Sequence, residues 1–447
     1  MKKNDFNIKL REYARTLSPR QYERDLISKI YQSICDLLGA NYCIQIGSYP
    51  RLTAITPVHD LDILYILGRW EENNHNPSTA LQNLATRFNQ YVNPTSYRVE
   101  LGPAQSHSIT LLFKDNAGKE ILSIDIVPTY IFSKNEFNED TYKVPEIVRR
   151  GHGRKRAQYY QELSLQHKEM DWIVSDPRGY IHIASDTDLA TKGEFRKTAK
   201  IVKRWKNNLV EEDENLKLQS FHIEQVITNY FRENYSLEIF DAVYKFFNEL
   251  PEIINNPNQI KDRANNSKFI DDYLEQFTDE QKNKIKRARD GFLIKLENLG
   301  EYDSVDQLFE IVFYSRRLTE DFLFDSGIKT LIDNNFKFRI DGFVKPLSGF
   351  TSGWLTEIPH FQNGLTRGGT KQRHIEFRIR KNETPAEEYR WKVKNADTCL
   401  QPRGEITPNR TKNDPESTEY AGDHYVECYA IKNNDCIAKS KVPVKII

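Results

Sequence analysis

Apolar residues in the first part of the chain follow two different periods. Ile27, Ile30, Tyr31, Ile34, Leu37 and Leu38 recur at helical spacing, and Gly39 follows as a terminator. Ser18-Pro19-Arg20-Gln21 stands just ahead, with a serine N-cap, proline at the first helical position and a capping-box glutamine. Short apolar or alternating runs come next at 42–46, 61–67, 108–113 and 121–127, separated by polar turns. They predict a small sheet backed by the helix, so residues 1–185 read as one mixed lobe.

From Phe195 to Phe336 the period is helical. Ile201, Val202, Trp205 and Leu209 make one stripe; Phe221, Ile223, Val226, Ile227 and Tyr230 make another. The polar segment 255–267 reads as a loop within this second lobe, residues 186–337. Residues 338–447 return to period two, at 375–379, 389–393, 424–429 and 442–446, which predicts a small β-sandwich. The fold class is therefore α+β, with three domains.

Composition narrows the setting. The 447 residues are 38% hydrophobic and 29% charged, enough apolar surface for folded domains. Lys+Arg and Asp+Glu balance at 64 each, so no global positive field supports a nucleic-acid activator. The start of the chain shows no secretory h-region, and no window offers the roughly 18 apolar residues of a membrane span. A cytoplasmic protein without membrane association is expected, and the five cysteines read as reduced thiols.

The chemistry-bearing residues lie among the predicted strands. A Gly47-Ser48 turn precedes the pair Asp60-Leu61-Asp62, and a third carboxylate stands in Ser123-Ile124-Asp125-Ile126-Val127-Pro128. On a strand, Asp60 and Asp62 project to one face roughly 6–7 Å apart, with Leu61 and Ile63 on the other. Asp125 alternates in the same way with Leu122, Ile124 and Ile126. Three carboxylates on one face repel unless cations neutralise them. Gly47 lets backbone approach a phosphate, and Ser48 brings a hydroxyl and an amide. Phosphoryl transfer from a nucleoside triphosphate uses this combination of acidic oxygens and phosphate donors, and no P-loop motif competes with it.

The string from Gly47 to Ile55, Asp60-Leu61-Asp62 and Ile124-Asp125-Ile126-Val127-Pro128 resembles the DNA polymerase β-like nucleotidyltransferases. Among them it is most similar to bacterial cyclic-oligonucleotide synthases of the cGAS/DncV-like group. Ala199-Lys200-Ile201-Val202-Lys203-Arg204-Trp205-Lys206 resembles the family's lysine-bearing helix, and Leu218-Gln219-Ser220-Phe221-His222-Ile223-Glu224 its serine segment. Tyr389–Asn395, Arg403–Ile406 and His424–Tyr429 resemble the adenylyl/guanylyl-and-SMODS sensor domain fused to some members. The resemblance implies a polymerase β-like core, an oligoadenylate-synthase-like helical lobe and a β-rich tail. It implies that Asp60, Asp62 and Asp125 hold two Mg²⁺ ions, with Mn²⁺ as a substitute. Gly47, Ser48, Lys203 and Ser220 would bind the donor triphosphate, with Lys206 as the rival lysine one turn along. ATP or GTP would be joined into a cyclic or short linear second messenger for antiphage defence, read by a separate effector. A transferase acting on another acceptor, or a silent nucleotide sensor, are the alternatives.

Other features are weaker. Residues 149–156 crowd Arg149, Arg150, His152, Arg154, Lys155 and Arg156 into one stretch, which suits either an anion-gripping or a solvated loop. Cys399, His424, Cys428 and Cys436 lack metal-ligand spacing and read as packed thiols. Trp391 reads as core. Residues 336–447 carry 19 Lys+Arg against 14 Asp+Glu, a surplus of 5 that suits an anionic ligand or a soluble surface.

Overall fold

The computed structural model describes residues 1–72, 76–102, 107–147, 170–317, 319–367, 372–411 and 414–447. The cationic stretch at 149–156 lies outside them. Two compact units emerge, Leu10–Lys284 and Met1–Lys9 with Ile285–Ile447.

The first unit is built on a mixed sheet. Helix α1 spans Lys3–Thr16 and crosses the boundary between the units; it was not anticipated, because its polar face dominates its composition. Helix α2 (Gln21–Leu38) begins later than Ser18 and Pro19 suggested. Arg20 is extended there, and its N–H donates to the Glu23 carboxylate at 2.7 Å, so Glu23 rather than Gln21 closes the cap. Gly39 ends the helix with its N–H on the Cys35 carbonyl at 2.7 Å.

Strands β1 (Cys43–Ile46) and β2 (Asp60–Arg69) follow, then helix α3 (Pro77–Arg87), β3 (Arg98–Leu101), β4 (Ile109–Lys114) and β5 (Glu120–Lys134). Their order in the sheet is β1-β2-β5-β4-β3; β6 (Asp140–Ile147) pairs with β5 and β7 (Met170–Ser175) with β6. Among the described strands of this sheet, only β2 and β5 run parallel. One sheet face buries Leu61, Ile63, Leu111, Phe113, Ile124 and Ile126 against Ile27, Ile30 and Ile34 of α2. The period of two then leaves the other face for Asp60, Asp62 and Asp125.

Four helices complete this unit: α4 (Pro177–Ala190), α5 (Glu194–Glu212), α6 (Ser220–Glu233) and α7 (Ile239–Asn255). The expected stripes of α5 and α6 are buried except for half-buried Phe221, with Trp205 set edge-on to Phe247 at 4.9 Å between centroids. The expected loop after Asn255 is free of helix until a short turn at Asp272–Gln276.

The second unit is a β-sandwich. One sheet has β8 (Lys329–Thr330) at its edge; the other begins from β9 (Phe338–Val344), β10 (Gly353–Trp354) and, past the short helix α8 (Pro359–Asn363), β11 (His374–Asn382). Adding β12 (Glu388–Lys394), β13 (Ile406–Pro408), β14 (Glu416–Ser417), β15 (Gly422–Lys432) and β16 (Asp435–Ile446) gives sheets β10-β9-β11-β14 and β13-β12-β15-β16-β8. Ile340, Val344 and Ile375 of the first pack on Trp391, Val393, Val426, Cys428 and Val444 of the second. Trp391 is core, as its alternation suggested. Cys35, Cys43, Cys428 and Cys436 are buried free thiols, while Cys399 is partly exposed. No helix among the described residues is long and apolar enough to cross a membrane.

Candidate active site

The parallel pairing of β2 and β5 sets Asp62 directly opposite Asp125 and Asp60 opposite Ser123. Register thus brings together three carboxylates that are 65 residues apart at most. The Ser123 hydroxyl donates to Asp60 Oδ1 at 2.7 Å, and the Thr110 hydroxyl of β4 donates to Asp125 Oδ1 at 2.5 Å. Each of these hydroxyls fixes one oxygen and leaves the other. Burial pushes the Asp62 carboxyl up to about 6; the Asp125 charge adds to the shift, Arg51 opposes it, and Asp60 adds further.

A set of carboxylate oxygens under mutual repulsion suits a hard divalent cation such as Mg²⁺ by donor type and charge. Among the described residues, no three His, Cys, Asp or Glu side chains already close around one metal point. The fit is therefore one of chemistry and register.

The segment between β1 and β2 lies against this acidic face. Gly47 has φ +82°, and a Cβ there would stand 2.0 Å from Asp62 Oδ2. Only glycine permits that approach. The Ser48 carbonyl accepts the N–H groups of Thr53 at 3.0 Å and Ala54 at 3.2 Å, which folds the segment into a compact turn. The Ser48 hydroxyl makes no hydrogen bond to a described residue, so it is available.

Four side chains hold this turn in place. Glu23 Oε2 accepts the Thr56 hydroxyl at 2.8 Å, and its Oε1 accepts the Val58 N–H at 2.9 Å. Arg196 donates to the Arg51 carbonyl at 2.9 Å. Arg51 Nε meets Glu224 Oε2 at 2.8 Å, and its guanidinium lies 5.2 Å from the Phe221 ring centroid. Lys203 Nζ donates to the Thr53 carbonyl at 2.9 Å and to Glu224 Oε1 at 3.0 Å. Burial alone would raise the Glu224 carboxyl, yet Arg51 and Lys203 hold it down to about 2.

This arrangement bears on the two lysines that the resemblance offers for the triphosphate, Lys203 first and Lys206 as its rival. The expected triphosphate lysine, Lys203, is only 5% exposed, and its ammonium is committed to Glu224 and Thr53. Lys206, one turn further along α5, places its Nζ 3.2 Å from the Ser220 hydroxyl at the start of α6. Burial pushes Lys206 down to about 8, with Lys203 and Lys217 adding to the shift and Asp60 opposing it. Gly47, Ser48, Asp60, Asp62 and Asp125 thus share one region, and Lys206 with Ser220 is the adjoining cation–hydroxyl pair. Glu23 and Thr110 went unnoticed in the sequence, and Glu224 stands there only as the end of the serine segment. Arg51 and Glu224 are 173 positions apart, and no local pattern links them.

Comparison with known proteins adds the family. Residues 184–299 match the cGAS/DncV-like nucleotidyltransferase C-terminal helical domain, and residues 366–447 match the adenylyl/guanylyl and SMODS C-terminal sensor domain. No curated protein matches the chain significantly. Among solved structures, E. coli MS115-1 CdnC with ATP is 15% identical, with TM-score 0.44, over 70% of this chain and 99% of its own. Elizabethkingia meningoseptica CdnE cyclic dinucleotide synthase with GTP and Apcpp is 14% identical, with TM-score 0.39, over 61% of this chain and 91% of its own. Rhodothermus marinus CdnE c-UMP-AMP synthase with Apcpp and Upnpp is 15% identical, with TM-score 0.42, over 66% and 99%. The two matches place a cGAS/DncV-like helical domain at residues 184–299 and an adenylyl/guanylyl and SMODS sensor domain at residues 366–447 of this chain.

Proposed function

We propose that the chain condenses nucleoside triphosphates, ATP or GTP among them, into a cyclic or short linear oligonucleotide with release of pyrophosphate. The observation that carries this reading is the register of Asp62 against Asp125 beside the Gly47-Ser48 turn.

Asp60, Asp62 and Asp125 would hold two Mg²⁺ ions, or Mn²⁺ in their place. When bound, such ions stabilise the charge that develops on the attacking and leaving oxygens. The Ser48 hydroxyl and the Gly47-Ser48 backbone donate to the donor triphosphate, and Lys206 with Ser220 adds a cation and a second hydroxyl. Lys203 acts indirectly, by fixing the Thr53 carbonyl and hence the turn. The acceptor hydroxyl gives up its proton to the Asp125 oxygen that Thr110 does not occupy. Its oxygen bonds to the α-phosphorus as the bond to the β-phosphate breaks, and pyrophosphate leaves. A second transfer within the same product closes a ring. The product would then act as a second messenger on a separate effector in antiphage defence.

The test is acceptor-free incubation with all four labelled triphosphates and Mg²⁺ or Mn²⁺, with phosphatase-resistant products resolved by mass. Oligonucleotides absent from Asp60→Asn/Asp62→Asn support the reading. Label transferred only when an RNA, protein or small-molecule acceptor is added would overturn it.

A further inference from the structure

Asp60, Asp62 and Asp125 stand in two rows across β2, β5 and β4. One row lines up Asp62, Asp125 and Thr110; the other, two residues along, lines up Asp60, Ser123 and Leu112. Residues paired across strands share a sheet face, so each row brings one hydroxyl against one carboxylate. The buried Thr110 hydroxyl donates to Asp125 Oδ1 at 2.5 Å. Ser123 has two acceptors in reach, Asp60 Oδ1 at 2.7 Å and the His59 carbonyl at 3.3 Å. That carbonyl already accepts the Ser123 N–H at 2.7 Å, and Asp60 is both the nearer and the charged acceptor, so the single hydroxyl proton goes to Asp60. Asp62 differs from both. On β1 it faces Ile46, and its carboxylate makes no hydrogen bond to a described residue.

This division of oxygens bears on which cation the face accepts. A carboxylate oxygen that accepts a hydroxyl proton shares its charge with that bond and is the weaker donor to a metal. Asp60 and Asp125 therefore each offer one strong oxygen and one weakened one. Mg²⁺ keeps several waters and is served by single oxygens in a near-octahedral shell, whereas Ca²⁺ gathers roughly 6–8 oxygens and draws on carboxylates that give both.

We propose that Ser123 and Thr110 are specificity-determining residues for the metal. By each holding one oxygen of Asp60 and Asp125, they weaken the two-oxygen grip that favours Ca²⁺ and bias the face toward Mg²⁺. The inference rests on the reading of the three aspartates as a divalent-cation site, and it adds to that site two hydroxyls that are not themselves ligands.

The test follows melting of the full-length protein against MgCl₂ and against CaCl₂ without nucleotide, so the affinity for each ion is read without turnover. In Thr110→Val and in Ser123→Ala, Mg²⁺ should bind about tenfold more weakly, a usual result of removing the partner that orients a metal ligand. Ca²⁺ should bind as tightly as to the parent or more so, moving the ratio of the two affinities about tenfold toward Ca²⁺. Thr110→Ser and Ser123→Thr retain the hydroxyl and should retain the parent's ratio. A purely structural role would lower melting without metal and weaken both ions alike. An unchanged ratio in Thr110→Val and Ser123→Ala, or the same change in the hydroxyl-retaining variants, would overturn the inference while leaving the cation site in place. A parent that responds to neither ion, or no more than Asp60→Asn/Asp62→Asn does, would overturn the reading of the aspartates and the inference with it.

Discussion

Lys203 and Glu224 meet at 3.0 Å with both side chains buried, and Arg51 completes a buried group of three charges on the other Glu224 oxygen. The group joins α5 and α6 to the turn that follows β1, so the helices fix where Ser48 stands. Taking one member away strands the others in an apolar setting.

Glu224→Gln and Lys203→Met should each destabilise the protein by about 3–5 kcal/mol, the usual cost of breaking a buried ion pair from one side. The pH dependence has a defined sign. The folded Glu224 carboxyl is held at about 2 against an ordinary value of 4.5, so its contribution is complete above 4.5 and fades as pH falls toward 2. Denaturant melts of the parent and Glu224→Gln should therefore differ most above pH 4.5 and converge below it.

Lys206 should behave in the opposite way. Its ammonium is half-buried beside Ser220 and other cations, so Lys206→Met should alter stability by less than about 1 kcal/mol while raising the KM for triphosphate about tenfold or more. Because the group is held down to about 8, kcat/KM for the parent should fall as pH rises through 8 and the charge is lost. Lys206→Arg should move that falling limb to higher pH. Steady-state kinetics between pH 7 and 9.5 checks both points.

Much of this was legible in the sequence, for physical reasons. Alternation around Asp60, Asp62 and Asp125 gives each carboxylate its sheet face directly, because a strand's period of two is local information. The stripes of α5 and α6 and the strands of the tail were readable on the same ground. Partner choice was not. Lys203 and Lys206 stand one turn apart on one helix, and only Glu224, brought in by α6, decides which ammonium is engaged. The start of α2 was misplaced because Glu23 satisfies Arg20 and the end of the turn together, a tertiary demand that outweighs the signal of Ser18 and Pro19. Strands β3, β6 and β7 are short or polar, and pairing with neighbours rather than their own pattern defines them.

Removing charge from the aspartate face should stabilise the protein without metal. Asp62 is held up to about 6 by burial and by Asp125, so its ionised form opposes folding above that pH. Asp62→Asn should gain about 1–3 kcal/mol at pH 7.5 in a chelator. Millimolar Mg²⁺ should raise the melting temperature of the parent and leave that of Asp60→Asn/Asp62→Asn unchanged, which differential scanning fluorimetry will show.

Gly47→Ala tests the close approach of the turn to Asp62. The new methyl has φ +82° and a carboxylate oxygen in its path, a strain of about 1–3 kcal/mol. Relief requires the turn or Asp62 to move, so activity should fall at least a hundredfold while melting shifts only modestly. An alanine variant with full activity would show that the turn is not held against the site.

The most direct measurement follows pyrophosphate and product together when the purified protein meets all four triphosphates and Mg²⁺ with no added acceptor. One pyrophosphate for each phosphodiester bond, in phosphatase-resistant products lost in Asp60→Asn/Asp62→Asn, is the predicted result. Pyrophosphate without any phosphodiester product, or equal turnover in the double variant, would contradict it.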